Sequence, residues 1–320
     1  MSEGVLITDI EHFMVNDGPG FRTNVFIKGC NMKCAWCHNP ETQAPYAEIY
    51  WRTLLCVECG ACLQACPYDA INPPISPEEA RSEGSTYYKI IRERCTRCMK
   101  CVDACKYGAL AIVGQEYSLD EVLKEVQKDE PFYINSGGGM TVSGGEPATS
   151  PDFVRELFAR AKAKGLHTCM DTGGYCPWDV LQPILEHVDL ILYDLKHLDS
   201  AEHKRMTGVG NELILENLRK ISENGYAVWI RMPIVPDYND QLDYHLRVVD
   251  FLKSLPKPVE RVDLLPFHNW CQDKYRWLGI DWPYASMEAM EPSFLNPILD
   301  IYREAGITAT VGGSGFEGRE

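Results

Sequence analysis

Residues 28–41 read KGCNMKCAWCHNPE, and their three cysteines, Cys30, Cys34 and Cys37, are spaced C-x3-C-x2-C with no fourth cysteine nearby. The stretch follows an apolar run, Asn24–Lys28 in TNVFIK, with the character of a buried strand, so the cysteines are expected in a loop at a strand end. Three thiolates on a four-iron cube leave one iron without a protein ligand. An open position on a metal is where chemistry takes place rather than electron storage alone. Trp36, directly before the third cysteine, is placed to shield such a cluster or to stack on its ligand.

Eight of the other cysteines form two runs of identical spacing, C-x2-C-x2-C-x3-C, in CVECGACLQACP (Cys56, Cys59, Cys62, Cys66) and CTRCMKCVDAC (Cys95, Cys98, Cys101, Cys105). This is the bacterial two-cluster ferredoxin pattern, in which three cysteines of one run wrap a [4Fe–4S] cube and the fourth ligates the other cube. One cluster is then expected on Cys56, Cys59, Cys62 and Cys105, the other on Cys95, Cys98, Cys101 and Cys66. Pro67 follows the first run as the pattern has it, whereas Lys106 replaces that proline in the second. A pair of structural zinc sites is the competing reading, but zinc sites use paired knuckles rather than a twice-repeated 2-2-3 spacing. The stretch between Cys66 and Cys95, including INPPISPEEARSEGSTY, reads as a polar loop, and residues 51–115 as a small insert. Cys169, Cys176 and Cys271 have no spacing partner and are expected to be unligated thiols.

The chain has 320 residues, 14 of them Cys, and 46 acidic against 31 basic side chains, for a net charge of −15. With 45% hydrophobic and 10% aromatic residues it is not expected to be disordered. No run of about 18 apolar residues is present, which argues against a membrane span. The start, MSEGVLITDIEHF, lacks a basic region followed by an apolar one, so no signal peptide is expected and the protein reads as cytoplasmic. In that reducing compartment, clustered cysteines hold metal more often than they form disulfides. The acidic balance disfavours nucleic acid as a partner.

Outside the insert, β-like apolar runs alternate with amphipathic helices, the signature of an α/β fold with a parallel sheet and crossover helices. Strands are expected at Val5–Asp9, Thr23–Lys28, Met140–Ser143, His167–Met170, Val188–Asp194, Ala227–Arg231, Arg261–Leu265 and Ile307–Val311. Ser118 and Glu121 form a capping box, and Ser150 with Pro151 gives an N-cap and first turn before a stripe of Phe153, Val154, Leu157, Phe158 and Ala161. Asn211 is placed to cap a helix carrying Leu213, Ile214, Leu218 and Ile221. Ser136–Gly139 reads as a flexible lead-in, and Asp17-Gly18-Pro19-Gly20 as a turn.

The C-x3-C-x2-C triad with an aromatic before its last cysteine resembles the radical S-adenosylmethionine (SAM) enzymes. DGPGFRTNVFIKGC with CAWCHNPE resembles one branch of them, the activating enzymes of glycyl radical enzymes, and the similarity runs through most of residues 4–315. The insert resembles that of the larger members of this branch. The resemblance implies a partial (β/α)6 TIM-like barrel, residues 1–50 and 116–320, carrying an α+β ferredoxin-like domain with two [4Fe–4S] clusters at 51–115. Three [4Fe–4S] clusters in all are implied, with SAM on the open iron of the Cys30, Cys34 and Cys37 cluster. Trp36, Asn39, Ser143, Gly144, Gly145 and Glu146 (SGGE), Asp171, Asp194, Lys196, Arg231 and His268 would line the SAM site, with a monovalent cation beside Asp171 and Asp194. Active residues of such barrels sit at the C-terminal ends of strands. Asp17, Gly18, Pro19 and Gly20 would meet the partner's glycyl loop.

The implied reaction passes one electron from a flavodoxin or ferredoxin, through the insert clusters, into SAM. The 5′-deoxyadenosyl radical released then removes hydrogen from a glycine α-carbon of the partner enzyme. A monomer is expected, without membrane or nucleic acid. Three alternatives stay open on the residues alone: a radical SAM enzyme acting on a small molecule or tRNA base, a non-catalytic iron–sulfur electron carrier, and a structural metal module. For Asp171 and Asp194, helix capping is the simple alternative. For Arg231 and His268 it is an ordinary buried hydrogen-bonding role.

Overall fold

Alternate residues of a strand point to opposite faces of its sheet, and here the two faces divide by chemistry. Val25, Ile27, Met140, Val142, Met170, Ile191, Tyr193, Ile230, Met232, Val262 and Leu264 are buried in one apolar core. The residues interleaved with them include Asn24, Thr141, Asp171, Asp194, Arg231 and Asp263. One face of the sheet is thus committed to helices, while the other carries these polar side chains towards the C-terminal strand ends and a small apolar cluster of Cys169, Leu190 and Leu192 below them.

The computed structural model describes residues 4–82, 85 and 87–315. Its strands are β1 (Val5–Met14), β2 (Arg22–Ile27), β3 (Glu48–Trp51), β4 (Leu110–Val113), β5 (Gln115–Tyr117), β6 (Gly139–Gly144), β7 (His167–Thr172), β8 (Leu190–Asp194), β9 (Val228–Ile234), β10 (Arg261–Pro266) and β11 (Ala309–Val311). Nine form one sheet in the order β11-β10-β9-β8-β7-β6-β2-β1-β5. From β2 through β6 to β11 every neighbouring pair is parallel and the strands follow in chain order, as consecutive β-α units dictate. The apolar stripes of Pro151–Ala163, Glu212–Asn224, Leu242–Lys253 and Asn296–Glu304 cover the outer face.

All eight expected strands form, but β1 runs antiparallel to β2. The connection between them, residues 15–21, is too short for a crossover. Beyond β11, Gly315 accepts a hydrogen bond from Gly20 N (3.3 Å) and donates one to Val15 O (2.6 Å). The two sides of the sheet are thereby drawn together, with the 15–21 connection tucked into its concave side. A Cβ on Gly315 would stand 2.1 Å from Gly18 O, so only glycine permits this approach.

The Ser118 capping box forms with both of its bonds. Ser150 and Asn211 stand at helix N-caps without side-chain cap bonds, and the Asn211 amide instead ties His197 O and Leu198 O (2.8 Å each). Ser136–Gly139 is not a flexible lead-in. It ends the helix Glu130–Ser136 and packs so closely that a Cβ on Gly138 or Gly139 would meet the Phe21 or His167 carbonyl at about 2 Å.

β3 and β4 pair antiparallel as a separate sheet, and both cysteine runs lie between them in the chain. The runs share a backbone device: Glu58 and Gly60 flank Cys59 with positive φ, as Arg97 and Met99 flank Cys98. Each then starts a short helix, Ala61–Ala65 and Lys100–Asp103. The stretch expected as a polar loop contains one helical turn, Pro77–Arg81, closed by a Ser76–Glu79 capping box. Glu83, Gly84 and Thr86 of that stretch lie outside the described residues. The Arg92 guanidinium, just before the second cysteine run, donates to Ile49 O of β3 (2.8 Å) and to Leu278 O (2.9 Å). Among the described residues no helix is long and apolar enough to cross a membrane.

Candidate active site

The cysteine triad follows β2 and is held on several sides. Gly29, at φ +124°, donates to Thr42 O (2.7 Å) and accepts from Glu146 N (2.8 Å), which joins this loop to the SGGE turn after β6. A Cβ on Gly145 would lie 2.1 Å from Gly29 O, so the contact requires glycine. Lys33 N and Ala35 N donate to Thr207 O and Met206 O (2.8 and 2.9 Å). Tyr275 donates to Cys37 O (2.8 Å) and Trp282 to Ala35 O (3.1 Å).

This framework turns the triad into a cavity of about 430 Å³ at the C-terminal ends of the parallel strands. Of the anticipated residues, Cys30, Cys34, Trp36, Cys37, Asn39, Ser143, Gly144, Gly145, Asp171, Asp194, Lys196, Arg231 and His268 all line it. Burial pushes the Cys30 and Cys34 thiols up to about 12, so in the metal-free chain they keep their protons. A metal entering there displaces those protons.

Charge in the cavity is arranged as linked pairs. Ser143 donates to Asp171 Oδ2 (2.7 Å), and Arg231 Nη1 lies 3.4 Å from the same oxygen while donating to Asp17 Oδ1 (2.8 Å). Lys196 donates to Asp194 Oδ2 (2.6 Å). Burial raises the Asp171 carboxyl to about 7, with Asp194 and Asp17 adding to the rise and Arg231 opposing it. Burial alone would lower the Lys196 ammonium, but the Asp194 carboxylate bonded to it outweighs that and its affinity for the proton rises. Asp171 Oδ1 and Arg231 Nε are buried without hydrogen-bond partners among the described residues. Buried polar atoms left unpaired beside a cavity are suited to a polar ligand.

Glu146 stands apart from this wall. It is fully buried, and its oxygens accept from Thr172 Oγ1 (2.7 Å), Gly173 N (2.9 Å) and Ala148 N (3.2 Å). The carboxylate thus fixes the β7 end against the SGGE turn while the glycines face the cavity. Asp17 also points inward, receiving Arg231 and the Asn24 amide (2.6 Å), and Gly18 and Gly20 are buried. Asn39 Oδ1 accepts from Lys274 (2.9 Å). At the mouth, His38, His268 and Trp270 form a ladder of rings with centroid spacings of 3.9 and 4.4 Å, ending at a Trp270 that is 81% exposed. Among residues not singled out from sequence, Thr172, Gly173, Pro233 and Gly312 line the cavity at or just beyond strand ends, where the strand-end rule could have found them.

The insert brings its cysteines together across the runs. Cys56, Cys59, Cys62 and Cys105 line one small apolar cavity; Cys66, Cys95, Cys98 and Cys101 line another. The module repeats itself here as well, with Ala70 N donating to Cys66 Sγ and Leu110 N to Cys105 Sγ (3.4 Å each). Cys169, Cys176 and Cys271 are buried free thiols.

Comparisons with known proteins agree with this architecture. The chain matches the Radical SAM superfamily over residues 92–249, a 4Fe-4S dicluster domain over 55–109 and a 4Fe-4S single cluster domain over 16–65. It is 34% identical to the (2S)-3-sulfopropanediol dehydratase activating enzyme of Klebsiella oxytoca, covering 96% of each chain. It is 39% identical to the choline trimethylamine-lyase activating enzyme of Oleidesulfovibrio alaskensis, covering 96% of this chain and 97% of that one. Streptococcus suis SuiB, solved with its precursor peptide SuiA, shares the fold with a TM-score of 0.53 at 11% identity, over 93% of this chain and 49% of that one. The chain belongs to the glycyl radical enzyme activating enzymes, a branch of the radical SAM superfamily. Its cofactors are iron–sulfur clusters and SAM, its activity is the generation of a 5′-deoxyadenosyl radical from SAM, and its partner is a glycyl radical enzyme.

Proposed function

We propose that the chain holds three [4Fe–4S] clusters. Cys30, Cys34 and Cys37 would hold the one that binds SAM, Cys56, Cys59, Cys62 and Cys105 the second, and Cys66, Cys95, Cys98 and Cys101 the third. The observation that carries this reading is that three groups of cysteines line three cavities, one of which also gathers the charged residues Asp171, Asp194, Lys196 and Arg231. When bound, the open-iron cluster supplies the electron that cleaves SAM to methionine and a 5′-deoxyadenosyl radical.

The chain's own residues orient and enclose. Gly144 and Gly145 offer backbone without side chains at the SAM amino group, and Glu146 keeps that turn in place. Asp171 and Asp194 would hold a monovalent cation near the SAM carboxylate, and Lys196 and Arg231, which pair with them, would balance their charge. Trp36, Asn39 and His268 border the nucleoside, and Asp17, Gly18, Pro19 and Gly20 support the face that meets the glycyl loop. No acid or base is required of the protein, whose task is to position the cofactor and exclude quenchers.

Residues 51–115 would form a ferredoxin-like insert within a barrel of 1–50 and 116–320. A flavodoxin or ferredoxin would supply electrons to this cytoplasmic monomer. Anaerobic reconstitution with iron and sulfide tests the reading. About twelve irons per chain are expected from three cubes of four, and four or fewer would overturn it.

A further inference from the structure

The two cysteine runs are duplicates in spacing and backbone but not in charge. Around Cys59, the residues between ligands are Val57, Glu58, Gly60 and Ala61; around Cys98 they are Thr96, Arg97, Met99 and Lys100. Each run leaves one cysteine exposed, Cys59 or Cys98, at the crest of its loop. The surroundings of the two crests therefore differ. Cys59 stands among exposed Leu54, Leu55 and Val57, with Glu58 beside it. Cys98 stands among exposed Arg94, Arg97 and Lys100.

These three cations are not absorbed by carboxylates. Arg94 donates to the Asp69 carbonyl (3.4 Å), Arg97 lies 4.0 Å over the Tyr46 ring, and none of the three takes part in an ion pair among the described residues. The charge is also out of keeping with the rest of the molecule. Residues 51–115 carry eight basic against seven acidic side chains, in a chain whose overall charge is −15. An acidic protein that concentrates unpaired cations around the exposed edge of one redox site presents a steering field for an anionic partner.

We propose that the face bearing Arg94, Arg97 and Lys100 is where an acidic, low-potential one-electron carrier protein docks, and that its electron enters through the cluster of Cys66, Cys95, Cys98 and Cys101. This rests on the three-cluster reading. The carrier loses one electron and that cluster gains it, passing from the 2+ to the 1+ state before it hands the electron onward. The apolar crest at Cys59 is not the entry port.

The test uses the reconstituted holoenzyme of Arg94→Gln/Arg97→Gln/Lys100→Gln and of the charge reversal Lys100→Glu, with an acidic ferredoxin or flavodoxin as probe. Calorimetry at low ionic strength reads its Kd, and 5′-deoxyadenosine formation reads electron delivery. The triple variant should bind the carrier at least about tenfold more weakly and lose most of the salt dependence that the parent shows, because the screened interaction has been removed. Dithionite-driven SAM cleavage and iron content should stay at parental levels, and Glu58→Gln at the other crest should leave the Kd unchanged.

An unaltered Kd in both variants with full iron would overturn the docking face while leaving the three-cluster reading intact. Iron near four per chain would overturn that reading itself. A second copy of the chain occupying the face, seen as a salt-sensitive dimer that the triple variant abolishes, would also overturn the proposal. So would an oligonucleotide that competes with the carrier for it.

Discussion

Asp171→Asn should make the SAM-free protein more stable at alkaline pH while weakening its hold on SAM. The Asp171 carboxyl is raised from 3.8 to about 7 by burial and by the neighbouring Asp194 and Asp17. A carboxyl whose folded value lies above its unfolded one favours the folded state below the unfolded value, and that contribution fades as pH rises through the folded value. At 1.36 kcal/mol for each unit, keeping Asp171 ionised above pH 7 costs the fold on the order of 4 kcal/mol at most. Asparagine removes this cost and can still accept the Ser143 bond, but it forgoes the 3.4 Å approach of Arg231. The net gain is about 1–3 kcal/mol at pH 8.5, or roughly 1.5–4.5 °C in Tm for a chain of this length. At pH 6 the folded carboxyl is largely protonated but the unfolded one is ionised, so roughly 3 of those 4 kcal/mol are already lost, and the gap should be about 1–1.5 kcal/mol smaller than at pH 8.5, closing only towards about pH 4. Anaerobic scanning calorimetry of the cluster-loaded, SAM-free protein at both pH values measures it. A variant less stable than wild type at pH 8.5, or an equal difference at both pH values, would refute the reasoning.

Three further outcomes follow from the same geometry. Because Cys105 shares a cavity with the first run, Cys105→Ser combined with Cys56→Ser should cost about four irons, no more than either change alone, whereas Cys105→Ser with Cys101→Ser should cost about eight; iron analysis of the two double variants decides between crossed and uncrossed ligation. Gly145→Ala would drive a Cβ into the Gly29 and Thr42 carbonyls, at 2.1 and 2.8 Å, so a loss of about 1–3 kcal/mol and of the triad's iron is expected, and retention of both would contradict the close-approach argument. His38 is pushed from 6.5 to about 3 by burial and by the neighbouring His268, so it should stay neutral throughout pH 5–9 and disfavour the fold only as pH falls below about 6.5; a histidine NMR titration placing its midpoint between 5 and 7 would contradict this.

The sequence made the parallel core and the cluster ligands legible because both are local signals. Strand periodicity marks β2 and β6 to β11, and the ligand spacing repeats within each cysteine run. Direction of pairing is less local. β1 had the composition of its neighbours, and only the brevity of the 15–21 connection marks it as antiparallel. The strands β3 and β4 escaped notice because they are four residues each and separated by the whole insert, so their pairing leaves no continuous pattern. In the site, the strand-end rule found Asp171, Asp194 and Arg231, but not the inward turn of Asp17 that links two of them through Arg231. That link depends on the two sides of the sheet meeting at Gly315 and Gly20, a contact spanning nearly the whole chain. Glu146 illustrates the same limit: its motif was visible, but its engagement by Thr172 and Gly173 depends on the next strand.

The most direct test of the central claim is 5′-deoxyadenosine formation from SAM by the reduced, fully reconstituted protein, set beside its Cys34→Ala variant. The account predicts steady 5′-deoxyadenosine release by the parent and none by the variant, although the variant keeps about eight irons in its insert. A fully loaded parent that leaves SAM intact, or a variant that cleaves it as well as the parent does, would contradict the assignment of the Cys30, Cys34 and Cys37 site.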